Sequence, residues 1–77
     1  MENEQQTFGQ KAVGMSFNPS ASSEVDQAKE IFAQIIDQLD QLRNRTDSHE
    51  VRRLTSIAIT ETQGAQMWAV KAITWKD

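Results

Sequence analysis

The side chains that could do chemistry in this chain are few: one histidine, His49, two carboxylates on one helix face, Asp37 and Asp40, and four placed cations, Lys29, Arg52, Arg53 and Lys71. Bond-making chemistry asks for more than these provide. His49 falls beside a turn and next to Glu50, where an imidazole meets solvent rather than a substrate proton. A zinc site needs several thiolate or imidazole ligands, and the chain has no cysteine and no second histidine. Asp37 and Asp40 read as a solvated acidic patch. The glycines Gly9, Gly14 and Gly64 are too scattered for a phosphate-cradling loop. The sequence predicts no catalytic residues, no metal ligands and no cofactor, and so a protein that binds rather than transforms.

The cations point the same way. Lys29 lies near the start of a helical stretch, one step from the core position Ala28, and is expected at the rim of an interface. Lys71 is embedded in the apolar run WAVKAITW, where its stem can pack while its ammonium reaches outward. Arg52 and Arg53 open a second helical stretch, where the helix dipole disfavours cations unless a carboxylate or an anionic ligand compensates. Each has an ordinary alternative as a solvated or salt-bridged surface side chain. The formal charge of −3 argues against non-specific binding to long nucleic acid, which needs a broad basic surface. A small anion needs only a few local cations.

A chain of 77 residues makes one small domain, near the size at which a single core is marginal without staples or oligomerisation. Residues 1–21 are polar and lack a sustained apolar period. A flexible start is expected there, with neither a secretory signal nor a membrane span. At its end Phe17-Asn18-Pro19-Ser20 combines an aromatic with turn chemistry, because Pro19 biases Asn18 away from helical angles. From Val25 apolar residues recur at Ala28, Phe32, Ile35, Leu39 and Leu42, widened by Ile31 and Ile36, which predicts a helix from about Ser23 to Asn44. Asn44 to Ser48 reads as a turn, with Asp47 as N-cap and Glu50 behind it.

The second helix has inner positions Val51, Leu54, Ala58, Glu61, Ala65, Trp68, Ala72 and Trp75. A further apolar line runs through Ile59, Val70 and Ile73, and Ile57 and Met67 lie on another flank. This helix is apolar over more of its circumference than one partner helix can cover. The expected fold class is all-α: residues 22–77 form an antiparallel two-helix hairpin, preceded by a short N-terminal segment, and assemble into a helical homo-oligomer. Val51, Leu54, Ala65, Trp68 and Trp75 are its expected oligomer core. Gly64, costly inside a helix, is expected where another backbone or a ligand comes close.

The strings FNPS, SEVDQAKEIFAQIIDQL and TSIAITETQGAQMWAVKAITW carry a resemblance, with MWAVKAIT its most specific part. Over about three-quarters of its length the chain resembles the helical hairpin domain shared by phage anti-CBASS cyclic-nucleotide sponges and phage Thoeris anti-defence sponges. The resemblance implies sequestration, without cleavage, of the cyclic oligonucleotide messengers of bacterial immunity, in the cytoplasm of an infected host. It also implies a homohexamer, whose two-fold and three-fold axes suit cyclic dinucleotides and cyclic trinucleotides. By that resemblance Lys29, in VDQAKEIFA, is the lysine on the dinucleotide phosphate. Phe17 is the stacking aromatic with Phe8 as the alternative, and Asn18 and Ser20 bond base edges. The family's threonine-type contact two residues after the lysine is Ile31 here. The arginine that often precedes a threonine in the second helix is replaced by Ile59 before Thr60. Arg52, Arg53, Thr60 and Gln63 are the candidates for a trinucleotide site. The competing readings are a structural or adaptor oligomer, and a sponge for the cyclic ADP-ribose-type signal of Thoeris.

Overall fold

The computed structural model describes residues 5–77. Within them the chain forms three helices, α1 (Phe8–Val13), α2 (Ser23–Arg45) and α3 (His49–Thr74), and no strand. The hairpin bounds follow from local chemistry. Ser22 caps α2 by accepting a hydrogen bond from the Val25 N–H, with Glu24 and Asp26 placed against the N-terminal dipole and Arg43 and Arg45 against the C-terminal one. Thr46 to Ser48 make the connection, and Ser48 rather than Asp47 caps α3, its hydroxyl accepting from Val51 N–H at 3.1 Å. Three residues between two long helices leave only an antiparallel return. Accordingly Arg43 meets Ser56 near the turn, while Val25 and Lys29 share a cavity with Val70 and Thr74 at the far end.

The stretch expected to be a flexible start holds α1, a correction to the sequence reading over its middle. Met1 to Glu4 of that stretch lie outside the described residues. Thr7 caps α1 in a reciprocal box: the Gln10 N–H donates to Thr7 Oγ1 at 3.1 Å, and the Thr7 N–H donates to Gln10 Oε1 at 2.9 Å. Gly14 ends the helix in the left-handed region, φ 70°, with the Gly14 and Met15 N–H groups returning to the carbonyls of Lys11 and Gln10. Thr7, Gln10 and Gly14 are the signal the apolar period could not carry, since six residues make fewer than two helical turns.

α1 lies on α2 through Gly9, which is buried. A Cβ there would stand 2.1 Å from the Ala33 carbonyl oxygen, so only glycine permits this approach. The Gly9 N–H donates to Asp37 Oδ1 at 2.7 Å. Asp37 is therefore a fastening for α1 rather than part of a solvated patch, and Asp40 is bridged to Arg43 at 2.7 Å.

The core is small and joins all three helices: Val13, Ala33, Ile36 and Ile59, flanked by Ala12, Met15, Phe32 and Leu39. The stripe that α2 buries is Val25, Lys29, Ala33 and Ile36, rotated from the expected line so that Ile31 and Ile35 are exposed. On α3 the buried positions are Thr55, Ile59 and Gln66, while Leu54, Trp68 and Trp75 from the expected inner line are exposed at 50%, 70% and 65%. Counting about 100° per residue, the two faces of α3 are centred about 150° or more apart. One faces the hairpin. The other, with Ile57 and Met67 also exposed, is left uncovered by the described residues. At 13 Å the molecule is one helix thick in its least dimension.

Candidate functional site

Phe17, Asn18, Ser20 and Lys29, drawn from a turn and a helix, line one cavity of about 270 Å³ with Pro19, Val25, Val70 and Thr74. Turn chemistry holds the first three. Asn18 Nδ2 donates to the Ser22 carbonyl and to Asp26 Oδ1, both at 2.9 Å, and Ser20 Oγ donates to Asn18 Oδ1 at 2.8 Å. Asn18 and Ser20 thus spend hydrogen bonds on the turn that leads into α2. Ala21 closes it at φ 54°, a left-handed conformation that costs a non-glycine residue roughly 1–2 kcal/mol. Phe17 is 71% exposed, its ring free to meet a flat ligand.

Lys29 is the unusual group. Expected at a rim, it sits instead in the buried stripe of α2 at 4% exposure. The correction has a plain cause: α1, which the apolar period does not reveal, carries its Gly14 end and the Phe17 turn back over the lysine. Its Nζ donates to the Gly14 carbonyl at 2.9 Å and to the Phe17 carbonyl, and lies 5.8 Å from the centre of the Phe17 ring. No carboxylate among the described residues lies within ion-pair distance of it. An ammonium has three donors, so these two carbonyls leave one for a further acceptor. Carbonyl dipoles and an aromatic face solvate the cation without neutralising it, and a buried charge without a counter-charge is costly unless an anion joins it.

Phe8, the alternative aromatic, is elsewhere. It opens α1 and lies under Arg43, whose guanidinium carbon is 5.5 Å from its ring centre. Lys29 and Arg43 are about 21 Å apart along α2, which separates Phe8 from the lysine site.

The trinucleotide candidates are already engaged within the chain. Arg53 grips Glu50 through two hydrogen bonds, at 3.0 and 2.6 Å. That contact holds the Glu50 carboxyl below its ordinary value of 4.5 and raises the Arg53 guanidinium. Here a carboxylate compensates a cation near a helix N-terminus. Arg52 donates to the Thr46 carbonyl at 2.9 Å and approaches His49 Nδ1 at 3.5 Å, and His49 is exposed beside the turn. Thr60 bonds back to the Ser56 carbonyl at 3.1 Å, and Gln63 Nε2 donates to the Ala12 carbonyl of α1 at 3.4 Å. Lys71 lies exposed over the ring of Trp68 at 5.4 Å.

A second cavity, of about 390 Å³, shares Phe17, Lys29 and Val70 with the first and extends between the end of α1 and α3. It adds Lys11 and Gln66, which the sequence reading passed over. Gln66 stands on an apolar-rich helix with no charge to single it out, and only the docking of α1 makes its place a site. No group of three or more residues suited to hold a metal occurs among the described residues, and no helix there is long and apolar enough to cross a membrane.

Against known families, the chain matches the family model described as "Acb2/Tad1, hairpin domain" over residues 10–74. No curated protein and no solved structure gives a match.

Proposed function

The chain belongs to the Acb2/Tad1 hairpin family, the phage sponges of cyclic nucleotide signals, and from that premise we propose that it sequesters cyclic dinucleotide messengers at the Phe17–Lys29 cavity without cleaving them. The observation that carries this reading is the buried Lys29 ammonium, held by two carbonyls, without a counter-charge and beside an exposed aromatic ring. A phosphate fits as its third acceptor and supplies the missing negative charge. Phe17 offers a face for a base, and Asn18 and Ser20 stand beside it. The exposed second face of α3 supports assembly into the homohexamer usual to the family, in which two copies would present this cavity to a two-fold ligand. Arg52, Arg53, Thr60 and Gln63 would serve a trinucleotide only by giving up their present partners. Such a protein acts in the cytoplasm of the infected host and blocks activation of CBASS effectors. Among the described residues no side chains are grouped to activate water, which supports release of the ligand intact.

Native mass spectrometry with a panel of cyclic di- and trinucleotides and the cyclic ADP-ribose signal tests the proposal directly. The expected result is a hexamer with dinucleotide bound in integral stoichiometry, released intact on heating. Lys29→Gln keeps an amide donor for the two carbonyls but removes the charge, and its affinity should fall at least thirtyfold, the lower end for losing one side of a desolvated charged contact. Unchanged affinity removes Lys29 from the site. An oligomer that takes up no cyclic nucleotide favours the structural or adaptor reading, and linear products accumulating beyond one per site would make the protein an enzyme.

A further inference from the structure

Gln66 is 6% exposed, yet its side-chain amide makes no hydrogen bond with the described residues. Among the described residues no side-chain nitrogen or oxygen sealed from solvent lacks a partner, so this amide opens onto the cavity it lines, between the end of α1 and α3. With no protein partner and only slight exposure, this amide must fill its hydrogen bonds with water or with a ligand, and a ligand group that meets both its donor and its acceptor can replace that water. The cavity is continuous with the Phe17–Lys29 site, because Phe17, Lys29 and Val70 line both. Its volume of about 390 Å³ lies in the range of small-ligand sites. Lys11 stands at its edge, exposed and without an ion-pair partner. We propose that Gln66 is the base-reading residue of the ligand site: with the phosphate on Lys29, one base of the cyclic nucleotide enters the α1–α3 cavity and pairs its edge with the Gln66 amide. The inference rests on the sequestration reading and adds a base preference to it. The proposal commits this pair to the base edge that carries N7 in purines: there the adjacent donor and acceptor of an amide match the N6 donor and N7 acceptor of adenine, whereas the same edge of guanine presents acceptors only and that of uracil only O4.

Calorimetry of the intact oligomer with cyclic di-AMP, cyclic di-GMP and cyclic di-UMP, on wild type and on Gln66→Leu, tests this. Wild type should prefer cyclic di-AMP by about fivefold to 150-fold, the range for one bidentate amide–base pair. Gln66→Leu should bring the three affinities together while Lys29 still binds phosphate. The ratio between ligands is the readout, because a change in packing alone would shift all three alike. Gln66→Met is the second variant should leucine disturb the fold. Wild type that binds the three equally, or a variant that keeps the preference for cyclic di-AMP, overturns the role of Gln66 and leaves sequestration standing. Failure to bind any of the three overturns both.

Discussion

Gly9→Ala is the most direct test of how α1 builds the site. The new Cβ would lie 2.1 Å from the Ala33 carbonyl oxygen and 2.9 Å from its carbon, both backbone atoms, and 2.8 Å from Asp37 Oδ1. A C···O contact relaxes to about 3.3–3.6 Å, so α1 must retreat by roughly 1 Å or more. The 2.7 Å bond from the Gly9 N–H to Asp37 is then stretched past useful length. Losing a hydrogen bond to a charged group costs about 1.5–3 kcal/mol, and overpacking about 1–3 kcal/mol. Alanine returns up to about 1 kcal/mol of helix propensity. The net loss is on the order of 2–4 kcal/mol, or a fall in Tm of roughly 10–30 °C for a domain of this size at fixed protomer concentration. Amide hydrogen exchange should show α1 deprotected ahead of α2 and α3. Ligand affinity should fall with it, because α1 ends in the Gly14 carbonyl that helps hold Lys29. A variant with equal or higher Tm and protected α1 amides would mean that propensity alone operates at Gly9 and that the close approach is not real.

Gly64 makes the opposite case: beyond its own helical turn, no atom of the described residues lies within 4 Å of a Cβ added there. If a second copy packs on that face, Gly64→Ala should weaken the assembly in light scattering, whereas a stability gain of about 1 kcal/mol at unchanged mass would put Gly64 on open surface. Trp68→Ala should leave the helicity of an isolated protomer intact, since the ring is 70% exposed in the single chain, yet break the oligomer by about 3–5 kcal/mol if the ring is buried there; a variant of unchanged mass and Tm would take Trp68 out of the interface. For Glu50, the Arg53 guanidinium lowers the folded pKa below 4.5, so its contribution is present above that value and lost as pH falls through the lowered one. The pair is fully exposed, so melting curves of wild type and Glu50→Gln should differ slightly at neutral pH and converge in acid, and a gap that widened in acid would contradict that sign.

How much was legible in the sequence depends on how far each inference had to reach. The hairpin was local. Apolar spacing, serine and threonine chemistry at the helix starts and a short polar connection determine two long helices and their antiparallel return, and the bounds of α2 differ from the expected ones by a residue. The excess of apolar surface on α3 was equally readable, because a face too wide for one neighbour is a property of the helix alone. Which of its two faces meets α2 was not. Leu54, Trp68 and Trp75 offer more apolar area than Thr55, Ile59 and Gln66, yet α2 packs on the latter, which leaves the larger side chains exposed in the single chain.

Apolar spacing, capping residues and a short polar connection determined by themselves that this chain is a helical hairpin, and its composition that the hairpin carries few, scattered cations and no cysteine. Tertiary structure decided what those cations face. α1 is too short for its period to show, and its position rests on one glycine against the Ala33 carbonyl and one backbone donor on Asp37. Placing it there turns Lys29 from a rim lysine into a buried cation, sets Phe8 beside Arg43 and makes a cavity wall of Gln66. The physical reason is range: helix formation follows from neighbours within a few residues, whereas the field and solvation around an ammonium depend on carbonyls 12 and 15 residues away that reach it only once the chain has folded back.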